Sequence, residues 1–370
     1  MSIANFRIYL DSTPASEEQL ELFSEIRVDQ AIGMASEAEI QIDIGVDSDG
    51  LWEVLEEDFV QPFSRVRIEV RVDENEYIPL IDGPIVGQNF ELDSAPSQSN
   101  LVLVVHDDSV LLNQNEEVEL YEDQSPDQIA TSLFQQYGLS ADTDSVSSPS
   151  GSLSRYLMRR GTPMQFLREM ARRHGMFVYV EPDDSPGSSK GIFKFPQLES
   201  GDYPELLLLG ADRNINKFSA RFDGLRPLKA SAFNVDITNQ QVLSSETEQS
   251  TVDAQGDTPV HELVEVPTTL LARTREDTID LDAATAAAVD HSSWSYSAKA
   301  EVSMDNYAGV LAPYRTIAVV GAGGHLSGEW LISQVRHTIN DMSYSQAFTL
   351  RRNARSAGSS GGDSLLAGVF

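Results

Sequence analysis

The chain has 370 residues with an ordinary apolar content of 41%, no cysteine, and a formal net charge of −32. Without cysteine there can be no disulfide, thiolate catalysis or cysteine-ligated metal, and the lack of an apolar run of about eighteen residues leaves no helical membrane span. The acidity is lopsided: residues 1–150 hold 32 Asp and Glu against 5 Arg, whereas residues 151–370 hold 26 against 21 Lys and Arg.

Residues 1–110 read as mostly β. Period-two alternation marks Ala38 to Ile44 and Val66 to Val72, and an apolar run marks Leu101 to Val105. One short helix is expected from Leu51 to Asp58, entered from Asp49-Gly50 and closed before Pro62. Residues 111–204 use a different grammar, with Ser125-Pro126-Asp127-Gln128 and Thr162-Pro163-Met164-Gln165 each opening a capped helix. The first helix puts Ile129, Leu133, Phe134 and Tyr137 on one face and stops at Gly138. The second puts Met164, Phe166, Leu167, Met170, Ala171 and His174 on one face and Arg168, Arg172 and Arg173 on the other, and stops at Gly175. Between them, Ser140 to Ser154 reads as a polar surface loop, and after them Phe177 to Val180 and Ile192 to Phe195 read as a hairpin. Residues 205–353 return to β, with strands expected at Glu205 to Leu209 and Ala230 to Ile237. Within this block Thr238 to Pro259 reads as a mobile loop, and Ala-rich Ile279 to Val289 as a short helix that packs closely on a neighbour. Residues 354–370 form a Gly/Ser tail ending in Leu365, Leu366, Val369 and Phe370.

The two β blocks share a weak pattern at a constant spacing of residues, which sets Gly83 on Gly328, Phe90 on Val335, Leu103 on Phe348 and Val105 on Leu350. The stretch from Arg155 to Tyr179 is the most specific part of the chain. It joins an aromatic and basic lead-in, Gly161-Thr-Pro, Phe166-Leu, Ala171-Arg-Arg-His-Gly and an aromatic strand. With Tyr307-Ala-Gly-Val-Leu-Ala-Pro-Tyr, Leu326-Ser-Gly-Glu-Trp-Leu-Ile and Phe348-Thr-Leu-Arg-Arg-Asn353, it resembles the central-hub proteins of contractile tails, namely phage late-control D proteins and the hub portion of valine-glycine-repeat spike proteins. The resemblance implies a mainly β fold of two tube-like antiparallel barrels, at 1–110 and 205–353, flanking an inserted α+β domain. It also implies a homotrimer that joins a hexameric tail tube to a trimeric spike within a virion tail baseplate or a cytoplasmically assembled injection particle, with other baseplate proteins around it. No signal peptide is evident at Met1-Ser-Ile-Ala-Asn-Phe-Arg.

No catalytic motif emerges, and no cofactor or metal is expected. His106-Asp107-Asp108 lies at a strand end, His337 alternates as a strand residue does, and Gly321-Ala-Gly-Gly324 sits between strands, where a phosphate cradle needs a helix N-terminus. The basic island of Arg155, Arg159, Arg160, Arg168, Arg172 and Arg173 is read as an interface for acidic surfaces of neighbouring subunits, with Leu365, Leu366, Val369 and Phe370 as a second contact. So acidic a chain repels nucleic acid across the roughly 8 Å screening length of physiological salt, so no specific nucleic-acid recognition is expected. Two sources of the acidity stay open: a channel lining that keeps cargo from sticking, and salt adaptation, which suits a chain with only 5 Lys among its 26 basic residues. The rival function is a β-rich carbohydrate-active hydrolase, which would need two convergent carboxylates in a cleft. A third is a salt-adapted adhesion or capsid protein lacking the tube-like duplication.

Overall fold

Alternation of buried and exposed residues builds most of the molecule into antiparallel sheet. The computed structural model describes residues 4–72, 76–95, 98–146, 156–198, 203–235, 240–271, 278–340 and 343–357. Its largest sheet joins twelve principal strands in two groups. The first group is β1 (Ala4–Leu10), β2 (Phe23–Ala31), β3 (Glu37–Ile44), β4 (Arg65–Val72), β5 (Ile78–Glu91) and β6 (Ser99–His106). The second is β7 (Leu206–Leu207), β8 (Ser219–Phe222), β9 (Tyr296–Ser303), β10 (Thr316–Val320), β11 (Gly328–Asn340) and β12 (Ser343–Arg352).

Both groups are paired in the same order. The first runs β1-β4-β5-β6-β3-β2 and the second β7-β10-β11-β12-β9-β8. Register agrees as well as order. Val66 faces Gly83 where Ile317 faces Trp330, Ala38 faces Val105 where Ala298 faces Leu350, and Val28 faces Ala38 where Ala220 faces Ala298. One extra residue bulges at the same step of each long strand, Val86 after Ile85↔Val105 and Ser333 after Ile332↔Leu350. Phe63 and Tyr314, which precede β4 and β10, both hold a positive φ, 69° and 65°, that aromatic residues rarely adopt. Each donates its N–H to the next strand, Phe63 to Ile85 O and Tyr314 to Ile332 O. The groups differ at β7, which runs parallel to β10 whereas β1 is antiparallel to β4, and at Ser24 of β2 and Leu80 of β5, bulges that the shorter pairings of the second group lack.

The constant spacing expected from the sequence is therefore corrected for one strand. It holds for Leu103 with Phe348 and Val105 with Leu350, but Gly83 stands at the position of Trp330, and Phe90 at that of His337. The slip of two residues arises in the connection from β5 to β6, since the paired Ile85 and Val105 are 20 residues apart in sequence and the equivalent Ile332 and Leu350 only 18. The two groups meet through β2 and β11, with Val28 opposite His337 and Ile26 opposite Ile339. Their cores are separate clusters, although Val310, Ile339 and Tyr344 of the second group pack into the first.

Between the groups lies a third core formed by α1 (Pro126–Gln136), α2 (Pro163–Arg173), the ribbon Glu117–Glu122 with Tyr156–Gly161, and the hairpin Phe177–Pro182 with Ser189–Lys194. Both capping boxes form, and Gly138 and Gly175 end their helices at positive φ. Ser140–Thr143, expected as loop, instead pairs parallel with Lys190 to Phe193. The helix expected at Leu51 to Asp58 is also absent. Asp47 draws the N–H groups of Asp49 and Leu51 into a turn, Trp52 bridges Val46, and only Asp58–Val60 makes a 3₁₀ turn. A second departure interrupts β8 and β9. Lys229–Val235, Val242–Thr247 and Thr268–Leu271 form a small sheet packed on α3 (Thr278–Ser293). The expected loop at Thr238 to Pro259 thus contains a strand, and Thr258–Pro259 pairs with Ala354–Arg355.

Candidate functional site

The basic island does not stay together. Arg159 sits on an inward-facing position of its ribbon, almost wholly buried, and its Nη2 donates to Glu117 Oε2 and Glu119 Oε2, both at 2.8 Å. Burial opposes its charge, but the two carboxylates prevail and hold its pKa above the usual arginine value. The Tyr121 hydroxyl donates to Glu119 at 2.7 Å, and that bond, with Arg159, keeps Glu119 below the ordinary carboxylate range. Arg159 is thus paired within the ribbon, beneath its outer face. The alternation that buries it explains why: Leu157 and Arg159 face in, whereas Tyr156, Met158 and Arg160 face out.

That outward face carries residues the sequence analysis passed over. Val118 and Leu120 lie opposite Arg160 and Met158, so Val118, Leu120, Tyr156 and Met158 form an exposed apolar strip edged by Arg160. The signal was present in Glu117-Val-Glu-Leu-Tyr-Glu, an alternation with apolar residues on both sides of the strand. Arg172 and Arg173 lie one helix away, on the side of α2 that meets α3, where they line a shallow depression with Leu271, Ala284 and His291. Arg173 also reaches Glu169 at 3.8 Å. Arg168 is half-buried, and its Nε is a buried donor without a partner. The small side chains of α3 let the two helices approach, with Gly175 against Ala287. Arg155, Leu365, Leu366, Val369 and Phe370 lie outside the described residues.

A denser ionic cluster fastens the middle core to the first strand group. Arg65 and Arg67 on β4 share Asp82 of β5, with Arg65 Nε 2.6 Å from Oδ1 and Arg67 Nη1 3.2 Å from Oδ2. Arg67 also donates to Glu69 at 2.8 Å and to the carbonyls of Asp183 and Ser185 at 2.7 and 3.2 Å, so it grips the tip of the Phe177–Lys194 hairpin. Gly187 N–H returns a bond to Asp82 at 2.9 Å. Asp108 takes Arg65 Nη1 at 2.9 Å and the Ser189 hydroxyl at 2.7 Å. The face of the same hairpin stacks on the second group, with Tyr179 and Tyr314 ring centroids 3.7 Å apart.

The groups weighed for chemistry each have partners within the fold. His106 faces Glu37 at 2.9 Å, and Asp107 caps the following 3₁₀ turn through Ser109 N–H. His337 is buried between Tyr344 and Gln30, and burial lowers its pKa to about 3, so it is neutral. A cleft of about 560 Å³ is lined by His174, Asp253 and Asp290 among others. Asp290 accepts from Ser250 Oγ and from the N–H and hydroxyl of Thr251, each at 2.7 Å, so it holds a loop rather than offering a base. Among the described residues no three His, Asp or Glu side chains converge as metal ligands, and no helix is long and apolar enough to cross a membrane.

The fold has relatives among solved structures. The 43 kDa tail protein of prophage MuSo2 from Shewanella oneidensis is 13% identical, with a TM-score of 0.63 over 94% of this chain and 98% of its own. A tail protein from Neisseria meningitidis is 12% identical, with a TM-score of 0.59 over 95% of this chain and 96% of its own. An Escherichia coli component of the type VI secretion system, described as structurally similar to bacteriophage T4 tail proteins, is 12% identical, with a TM-score of 0.53 over 96% of this chain and 79% of its own. No curated protein matches the chain. The fold is thus the β-rich fold of phage tail proteins and type VI secretion components, and the family described as the Alg8 N-terminal domain matches residues 1–341. The chain belongs to the Alg8 N-terminal domain family.

Proposed function

We propose that this chain is the structural hub of a contractile phage tail or injection-system baseplate, a homotrimer that joins a hexameric tail tube to a trimeric spike and starts tube assembly without catalysing a reaction. The observation that carries the proposal is the duplication of a six-stranded order within one sheet, with one bulge at the same step of each long strand. A subunit between a sixfold tube and a threefold spike must offer six equivalent positions from three chains, and an internal duplication supplies them. The two units, 1–110 and 205–353, are read as tube-like barrels, with 111–204 as the inserted α+β domain and 354–370 as a tail.

In this reading the middle domain faces the spike or the surrounding baseplate. Its outward ribbon, with Arg160 beside Val118, Leu120 and Met158, together with exposed Arg172 and half-buried Arg173, would make the contact. Arg155 and Arg168 are assigned to the same contact, and Arg159 supports it from beneath through Glu117 and Glu119. Leu365, Leu366, Val369 and Phe370 are proposed to bind a neighbouring subunit or the spike. The particle would assemble in the cytoplasm or become part of a virion tail.

The test is to add the purified chain to the tube protein of the same particle and count tubes by negative-stain electron microscopy, with mass measured by sedimentation. A trimer that shortens the lag of tube growth is expected. A monomer that leaves tube growth unchanged overturns the proposal.

A further inference from the structure

Within one chain the two strand groups are joined by β2 lying along the second half of β11, in a register that runs from Ala31↔Gln334 to Glu25↔Asn340. Each strand of that joint has a counterpart in the duplication: β8 corresponds to β2, and the second half of β5 to that of β11. Among the described residues, the outer edge of β8 has no strand beside it, and β5 beyond Ile85 is paired only with β6. The chain therefore ends in two halves of the joint it already contains once.

The side chains on those free halves are those of a covered surface. In the existing joint Ile26, Val28, Val335, His337 and Ile339 are buried. Their counterparts include Phe90 and Leu92, 50% and 49% exposed, and Phe222, at the place of Gln30, is 38% exposed. Beside the joint, Gly33 N–H donates to the Tyr314 hydroxyl at 2.9 Å. The residues at those two places in the other copy of the unit are Leu225, 94% exposed, and Phe63, 66% exposed. Five of the molecule's exposed large apolar residues thus fall on one edge or the other of a joint that is missing its partner.

We propose that a second copy of this chain lays its β8 along the free half of β5 in the register of the β2–β11 joint, and that copies add head to tail by this contact. Transfer of the register sets Phe90 opposite Ala220, Asn89 opposite Arg221, Glu91 opposite Ser219 and Asp93 opposite Lys217. The last pair brings opposite charges together, and Arg221 lies diagonal to Glu91, so the outer face is complementary while Phe90, Leu92 and Phe222 close the inner face. A head-to-tail contact closes into a ring or extends as a filament. The joint rests on the duplication, and only its closure at three copies rests on the hub reading.

Disulfide trapping tests the register, because the native chain has no cysteine. Ile32 N–H bonds to Ser333 O, which makes Arg27↔Thr338, and hence Glu91↔Ser219, a pair not directly hydrogen-bonded, with Cα atoms about 4.5 Å apart and within disulfide reach. Oxidised E91C/S219C is expected to give a three-chain species on a denaturing gel that reductant returns to one chain. E91C/A220C, whose thiols would point to opposite faces, is expected to remain one chain. Adding Leu225→Asp to E91C/S219C, a change at a fully exposed loop, is expected to lower trapping by about tenfold. No trapping in a protein that sediments as a trimer overturns this joint and leaves the hub reading standing. A ladder continuing past three chains upholds the joint and overturns the closed hub. A monomer that cannot be trapped overturns both, and equal trapping of the two double variants overturns the register.

Discussion

Replacing Arg67 by methionine should loosen the middle domain from the first strand group while leaving each core intact. The aliphatic stem is kept, but the guanidinium's bonds to Glu69, Asp82 and the carbonyls of Asp183 and Ser185 are lost together. Asp82 keeps Arg65 and the Gly187 N–H, so it is not abandoned, whereas two carbonyls of the hairpin tip lose a charged donor. Breaking a buried ion pair costs roughly 3 to 5 kcal/mol, and the separate bonds are not additive, so about 4 kcal/mol is expected in all. At about 2 °C per kcal/mol for a chain of this size, Tm should fall by about 8 °C. Hydrogen exchange gives the sharper assay. Amides of residues 183–188 should exchange faster, as should those near Tyr179, whose stacking on Tyr314 depends on the hairpin's seat. An unchanged Tm with unchanged exchange at the hairpin would refute the reasoning, since the tip would then be held by something other than Arg67.

Gly83→Ala should be strongly destabilising, by about 3 kcal/mol, because the added methyl would collide with the backbone carbonyl of His106, and backbone cannot turn aside as a side chain can; a urea midpoint equal to wild type would contradict this. Thr162→Ala should cost about 1 kcal/mol, since the hydroxyl caps Gln165 N–H at 3.2 Å and bonds Asn113 Oδ1 at 2.7 Å, and the loss should show as faster exchange in the first turn of α2. Acid should act through His337. Its folded pKa of about 3 lies below the unfolded value near 6.5, so only the unfolded chain takes up a proton between them. Its burial as neutral imidazole is therefore free of penalty above about pH 6.5 and costs up to roughly 5 kcal/mol as pH falls toward 3, so denaturation of His337→Gln should depend less steeply on pH between 6 and 4 than wild type; equal slopes would count against the assignment.

Local chemistry determined the elements whose signals lie within a few residues. Thr162 to Gly175 encodes its cap, its apolar face and its stop, and the helix runs from Pro163 to Arg173 as that order requires. Gly321 to Gly324 between two apolar runs encodes a connection between strands, which it is. Elements without such signals were not legible. Ser140–Thr143 becomes a strand only because Lys190 to Phe193 offers it an edge, and the strand at Val242–Thr247 owes its place to Lys229–Val235 and α3, whereas a polar composition reads as loop. The candidate site followed the same division. That six arginines cluster in sequence was plain, but only packing decided that Arg159 points inward to two glutamates while Arg160 points out, because successive strand residues face opposite sides and the core chooses which. The duplication was visible in sequence as a weak pattern at the wrong spacing for one strand. Its proof lies in hydrogen-bond register and in two matched bulges, which connections of different length conceal from residue counting, and the unpaired edges it leaves at β5 and β8 exist only once the chain is folded.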